Sequence, residues 1–423
     1  MINFSKLIFL NILLFSLNSW SLPVGGFNLT ESGSFVYDAD PTGNTKLEAQ
    51  IKVDQAKKLG SKHIVLNMVG KMVTGRGNEV VSTTPPAEKS KEVQRVIRLI
   101  KYIKSQGLTV GIRPIFFVVG PNGEFPYYET IASGQKKLWW HGNIQPQDPN
   151  RWFDSFRTFL DGYMTVAKIA KADEFTIGAE LYSMTVGIED QWKEYPYGFP
   201  GRWLALLRYV KNKLPNTQIM YDINFTDDSN TESGFEKSGG ELERWRYRIV
   251  DLASPSNPEE FAIWTDLVTF WKELDAVGID MYRSLASANQ EIPKDYTKLV
   301  ELLKQRADSY AQQLDNTVLE ISSVTEVDKL LIFKEIGYRS VENGFIDPFV
   351  YASKNLGQLN LMHQAAAYDA FLAAFWDAGW GWFGGVYFWD ISIDPSKHGP
   401  LDNGFSPLGK DQTEKVIKNR FLK

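Results

Sequence analysis

The chain has 423 residues, with 46 Lys and Arg against 51 Asp and Glu and a net charge of −5, so it lacks the basic footprint of a nucleic-acid binder. Cysteine is absent, which excludes a disulfide framework and leaves stability to a large apolar core. The 13 Trp, 18 Tyr and 26 Phe can fill that core and still leave ring faces to stack on the apolar side of a sugar.

At the start of the chain, Lys6 precedes an apolar run from Leu7 to Leu17, followed by Ser19-Trp20-Ser21, the layout of a secretory signal peptide. The run is 11 residues long, short of the ~20 that span a bilayer. Residues 1–21 are therefore expected to be removed on export to the periplasm or beyond, leaving no membrane anchor. Removal of Lys6 takes the charge from −5 to −6.

From residue 24 on, short β-branched or apolar runs alternate eight times with stretches of helical period, which predicts a parallel (β/α)8 TIM barrel over residues 22–423, one domain with loop insertions and a monomer. The first strand spans Val24–Leu29, and its helix carries Leu47, Ile51 and Ala56. The second strand is His63–Met68, followed by a helix through Val93, Ile97, Ile100 and Ile103 that Gly107 closes. The third strand, Leu108–Pro114, leads into a long loop rich in aromatic and polar residues, a length that in a compact domain points to function. Trp152, Phe156 and Phe159 begin the next helix. The fourth strand is Phe175–Glu180, with the helix Trp203–Leu214 after it, and the fifth is Ile219–Asn224. A polar insertion from about Asp227 to Pro258 then reads as decoration on the barrel. The helix Trp264–Leu274, the strand Val277–Tyr282, the long helix Tyr296–Leu314 and the strand Leu331–Ile336 follow. The helix Ala366–Trp376, the strand Val386–Trp389 and the helix Glu414–Phe421 complete the pattern.

In such a barrel the chemistry gathers at the C-terminal ends of the strands. Two glutamates end strands there: Glu180 closes Phe175-Thr176-Ile177-Gly178-Ala179-Glu180, and Glu335 closes Leu331-Ile332-Phe333-Lys334-Glu335. A buried carboxylate is costly unless it is paired or used. Strands four and seven face each other across the mouth, so the two can flank one bond, the arrangement that glycoside hydrolysis needs. The competing reading gives them salt bridges with Lys334 or Arg339. The small Gly178 and Ala179 read as room for a substrate against the backbone. Arg113, Asn67 and Asn224, at the ends of strands three, two and five, are candidates to bind sugar hydroxyls or to hold the carboxylates ionised. Tyr282 lies one alternate position beyond Asp280, so both are expected to point into the barrel. Trp140 in the third loop is either an outer sugar platform or loop packing.

Several segments carry a family resemblance. Leu274-Asp275-Ala276-Val277-Gly278-Ile279-Asp280-Met281-Tyr282, Phe333-Lys334-Glu335-Ile336-Gly337-Tyr338-Arg339-Ser340, Gly404-Phe405-Ser406-Pro407-Leu408-Gly409-Lys410 and Trp140-His141-Gly142-Asn143-Ile144 resemble glycoside hydrolase family 113, TIM-barrel β-mannanases of a clan with its acid/base on strand four and nucleophile on strand seven. The resemblance runs from about residue 45 to the end. It implies a retaining enzyme with Glu180 as acid/base, Glu335 as nucleophile, Tyr282 bonded to the nucleophile and Trp389 as the floor of the subsite for the reacting sugar. Two positions depart from the clan: Ala179 stands where many relatives have Asn, and Ile115-Phe116-Phe117 follows Arg113-Pro114 where a mannanase-like site would carry His. The second departure touches the choice of polymer more than the bond chemistry.

The function expected is an endo-β-mannanase-like cut in a β-linked polysaccharide or oligosaccharide by double displacement, with Glu180 protonated at the start and its pKa raised by burial or by Glu335. The alternatives are an inactive carbohydrate-binding barrel and a glycosidase for another cell-wall glycan. No cofactor is expected. No metal is expected either: His63, His141, His363 and His398 lack ligand spacing, and Asp- and Glu-rich calcium loops are not evident, Asp394 to Asp402 being the one stretch to check.

Overall fold

A computed structural model describes residues 22–131, 133–188, 192–226, 239–349 and 357–423. The expected signal peptide, residues 1–21, lies outside the described residues, as do residues 227–238 of the insertion. The strands are β1 (Val24–Thr30), β2 (His63–Val73), β3 (Val80–Ser82), β4 (Thr109–Val119), β5 (Tyr127–Thr130), β6 (Lys136–Trp139), β7 (Glu174–Ala179), β8 (Gln218–Phe225), β9 (Ala276–Met281), β10 (Leu331–Glu335) and β11 (Phe383–Ser392). The helices are α1 (Glu48–Lys58), α2 (Lys89–Ser105), α3 (Pro149–Ala170), α4 (Tyr182–Thr185), α5 (Pro200–Lys213), α6 (Gly240–Arg246), α7 (Pro258–Glu273), α8 (Tyr296–Thr325), α9 (Leu361–Phe375) and α10 (Asp411–Phe421).

Parallel pairing runs β1-β2-β4-β7-β8-β9-β10-β11 and closes back on β1, which makes the chain a (β/α)8 TIM barrel. Each barrel strand is buried on both faces, and β7 and β9 are buried at every residue, because one face meets the helices and the other the barrel interior. Val65, Met220, Ala276, Ile332 and Tyr387 form a small apolar cluster of their own, separate from the large core between strands and helices. Polar residues also start the helices where the sequence supplies caps. Asp148 accepts from the backbone of Asn150 and Arg151 ahead of α3, and Asn257 caps α7, each followed by proline at the first helical position.

Strands β2 and β4 run five residues past Asn67-Met68 and Pro114 and pair in register to Val73 and Val119. Asn67 and Arg113 thus sit within strands and not at their ends. Pro114 does not stop the strand because the recorded pairing of β4 with β7 covers only Gly111 and Ile112. Beyond them β4 behaves as an edge strand, where proline is tolerated. The antiparallel β3 lies on the extension of β2, and the long third loop holds the β5–β6 hairpin.

The insertion after β8 is not mere decoration. Its α6 buries Leu242 and Trp245 in the main core. Gly178 also serves packing: a Cβ there would lie 2.8 Å from Trp203 Cη2 on α5, so its small size admits a helix side chain and not a substrate.

Candidate active site

Strand β10 explains how Glu335 comes to face the mouth. Phe333 points outward onto Phe371 and Phe375 of α9, and strict alternation would send Glu335 the same way. The register against β9 shifts between Phe333 and Glu335, and this irregularity re-aims the carboxylate inward. Lys334 does not pair with either glutamate of the proposed pair. It forms a buried ion pair with Glu174 of β7.

Arg113 is the hub beneath Glu335. Its side chain is 1% exposed and donates from Nε to Asp222 Oδ2 (2.7 Å), from Nη2 to Asp280 Oδ2 (2.6 Å), and from Nη1 to Glu335 Oε1 and, at 3.4 Å, to Asn67 Oδ1. Three carboxyl groups therefore face one guanidinium. Burial pushes Asp222 up to about 6 and Asp280 well above the usual carboxylate range, against the pull of Arg113. Each aspartate leaves one oxygen without a hydrogen-bond partner among the described residues. Gly278 makes room for the cluster, since a Cβ there would overlap Asp222 Oδ1 and Lys334 Cγ.

Arg113 and Asn67 were candidates for sugar binding or for holding the carboxylates, and burial separates the two roles. Asn67 is 4% exposed, donates to Asn28 Oδ1 at 3.1 Å, and takes the Tyr37 hydroxyl on its backbone N–H at 2.9 Å. Both residues are buried and bonded to neighbouring side chains of the site, Arg113 to three carboxyls and Asn67 to Asn28, which fits the supporting role. Tyr282, half-buried at the end of β9, donates its hydroxyl to Glu335 Oε2 at 3.0 Å. Burial, with Glu335 close by, holds the phenol well above its ordinary pKa, so it stays a donor.

Glu180 has a different setting. It follows β7 in the left-handed region, φ +55°, a conformation that costs a side-chain-bearing residue about 1–3 kcal/mol. Its N–H bonds to the Asp222 carbonyl at 2.9 Å, and the N–H of Leu181 donates to Tyr221 Oη at 3.0 Å. Asn224 Nδ2 donates to Glu180 Oε1 at 2.6 Å, and His141 Nε2 lies 2.9 Å from Oε2. Burial alone would raise the carboxyl. Hydrogen bonding by His141 and Asn224, with the field of His141 and Arg113, outweighs it and holds Glu180 below the usual range. The expected upward shift is therefore reversed, because donors converge on a carboxylate that the sequence places only among apolar neighbours.

His141 arrives from the third loop, in a short turn over residues 141–143, and supplies an imidazole although none follows Arg113-Pro114. Trp140 packs edge-on to His141 and to Tyr182, with ring centroids 4.9 and 5.6 Å away, and stays half-buried, so it braces this turn. Trp389, also half-buried, ends beside Ile336, whose carbonyl accepts its N–H at 2.9 Å. The calcium-loop stretch is spoken for: Asp402 pairs with Lys410, and Asp394 caps Ser396. Among the described residues no cluster of three or more His, Cys, Asp or Glu could hold a metal, and no helix is long and apolar enough to cross a membrane.

Reading the residues alone missed His141 and Asp222. For Asp222 a signal existed: it lies two residues before Asn224 on the same strand, hence on the same face. For His141, chain separation hid the contact.

A closed parallel barrel that gathers glutamates from β7 and β10 at its C-terminal mouth is the architecture of a broad class of glycoside hydrolases. Residues 34–222 and 259–410 match the family model for Glycoside Hydrolase Family 113, and the chain belongs to that family of O-glycosidases. Solved structures share the fold. A GH113 β-1,4-mannanase is 17% identical with a TM-score of 0.58, over 95% of this chain and 100% of its own. The GH113 β-mannanase of Alicyclobacillus acidocaldarius, in complex with ManMIm, is 16% identical with a TM-score of 0.61, over 95% and 98%. No curated protein matches the chain in sequence.

Proposed function

We propose that this glycoside hydrolase is a retaining, endo-acting β-mannanase in which Glu335 is the nucleophile and Glu180 the acid/base. The observation that carries the reading is the contrast between the two carboxylates. Glu335 receives hydrogen bonds from Arg113 and Tyr282, donors that suit a carboxylate nucleophile. Glu180 faces His141, whose ring nitrogen can donate or accept, which suits a group that gives up a proton and takes one back.

In the first step Glu335 attacks the anomeric carbon while the proton shared by Glu180 and His141 passes through Glu180 to the departing oxygen. A sugar seated in the mouth excludes water, which makes the charged form of Glu180 costlier and favours delivery of a proton from its carboxyl. In the second step Glu180, now a carboxylate, removes a proton from water, which displaces Glu335 and releases a product of the original anomeric configuration. Trp389 offers a ring face to the reacting sugar. The apolar run after Lys6 supports a further proposal, that the enzyme works outside the cytoplasm after loss of residues 1–21.

The test is cleavage of β-mannan, with β-glucan, chitosan and peptidoglycan alongside. It is followed by trapping with a 2-deoxy-2-fluoro-β-mannoside and mass mapping of the label. Label on Glu335, and loss of cleavage in Glu335→Gln, are expected. Label elsewhere, or a variant that cuts as well as the parent, overturns the nucleophile; cleavage of another polymer and not of mannan overturns the substrate.

A further inference from the structure

Glu241 has no part in the chemistry above, yet it is wired to the acid/base from behind. It is the second residue of α6 and 1% exposed. Its Oε1 accepts from the Tyr221 hydroxyl (2.9 Å), Trp245 Nε1 (3.1 Å) and Thr185 Oγ1 (3.4 Å), and its Oε2 from the backbone N–H of Asn224 (3.2 Å). Three of these partners lead to Glu180. Tyr221 accepts the N–H of Leu181, the residue directly after Glu180. Asn224 donates its side chain to Glu180 Oε1. Thr185 ends α4, the single turn that follows.

Gly240 shows how closely α6 is docked. It sits at φ +62°, and a Cβ there would overlap Asn224 Oδ1, so only glycine lets Glu241 reach the end of β8. The interval 223–258, to which Glu241 belongs, lies between the two segments matched by the family model.

We propose that Glu241 is a positioning residue. Through Tyr221 it pins the left-handed backbone at Glu180, and through Asn224 it aims the Glu180 carboxyl at the leaving oxygen. The inference rests on the reading of Glu180 as acid/base. Burial lifts the Glu241 carboxyl to about 8, and glutamine removes the charge while keeping a carbonyl oxygen for the three Oε1 contacts. A displaced acid costs rate only where the leaving group needs a proton, so the consequence is selective.

The experiment compares Glu241→Leu, Glu241→Gln and Tyr221→Phe on β-mannan, phenyl β-mannobioside and 2,4-dinitrophenyl β-mannobioside. The last has a leaving group that departs without protonation. Glu241→Leu and Tyr221→Phe are expected to lose about 10- to 100-fold in kcat on mannan and on the phenyl substrate with little change in KM, while kcat/KM on the dinitrophenyl substrate stays within about threefold. Glu241→Gln should restore most of the loss. Equal losses on all three substrates, or full mannan activity in Glu241→Leu, overturn the proposal. If Glu241→Leu does not fold, Tyr221→Phe decides it by the same criterion. Glu180→Ala serves as the control: if it shows no dependence on the leaving group, the acid/base reading itself has failed, whatever Glu241 does.

Discussion

His141 Nε2 and Glu180 Oε2 stand 2.9 Å apart across 39 residues of sequence, joined because the turn after the β5–β6 hairpin folds back over the end of β7. The imidazole supplies a hydrogen bond and a field that help hold Glu180 below the usual carboxylate range against burial. His141→Ala removes both and leaves burial dominant, so the Glu180 carboxyl should titrate at higher pH than in the parent. Carbon-13 NMR of the labelled carboxyl, or the pH profile of kcat/KM, reads this directly. A carboxyl that titrates at the same or lower pH in His141→Ala would show that His141 does not tune it. The mannan rate should fall by about 100-fold, the lower end of the range ascribed to a lost general acid–base partner.

Tyr282 gives the cleaner test of the nucleophile's setting, because its 3.0 Å bond to Glu335 Oε2 can be deleted with almost no change of volume. Tyr282→Phe should lower kcat by about 100-fold, the usual scale for losing one oriented donor at a reacting oxygen, while KM moves little. A variant within about twofold of the parent would mean that the phenol is packing only.

These contacts mark where the sequence was legible. Alternating apolar runs located all eight barrel strands, because a strand buried on both faces leaves a dense β-branched signature, as in Val277-Gly278-Ile279. Glu180 and Glu335 stood out as charges at the exits of such runs. Glu335 nonetheless faces inward only through a register shift, and no residue in Phe333-Lys334-Glu335 announces it. The polar interior was harder still. Arg113 could be read as a cation near the mouth, but its sharing among Asp222, Asp280 and Glu335 depends on three strands meeting around a closed barrel. Glu241 was hidden for another reason: a charge-rich insertion looks solvated, and only the fold shows that Leu242 and Trp245 carry it inside.

The Arg113 hub should dominate stability. Its guanidinium is 1% exposed and faces three carboxyls, so Arg113→Met leaves buried acids without their cation. Removal of one partner from a buried ionic cluster typically costs about 3–5 kcal/mol, and the variant should unfold at markedly lower denaturant or fail to accumulate. Asp280→Asn should be milder, since the amide oxygen still accepts from Arg113 Nη2 and burial, which raises the Asp280 carboxyl, already disfavours the charge that the substitution removes. Urea unfolding of both, followed by tryptophan fluorescence, checks the ordering. Equal losses in the two variants would contradict it.

Glu241 makes a prediction for stability as well as rate. Its folded-state pKa is raised to about 8, whereas an unfolded glutamate titrates near 4.3. Between roughly pH 4 and pH 8 the folded protein therefore holds a proton that the unfolded chain has released, and stability contributed by this group declines as pH rises through that window. Asp222, raised to about 6, adds the same sign over a lower range. Glu241→Gln removes one titration and keeps the neutral hydrogen-bonding shape, so its melting temperature should fall less than that of the parent between pH 6 and pH 8, where Asp222 contributes little. Thermal unfolding at pH 5, 6, 7 and 8 measures the slope. Parallel curves for parent and variant would mean that Glu241 is ionised in the folded protein. Its four acceptor contacts, with Tyr221, Trp245, Thr185 and the Asn224 N–H, would then be holding a buried charge.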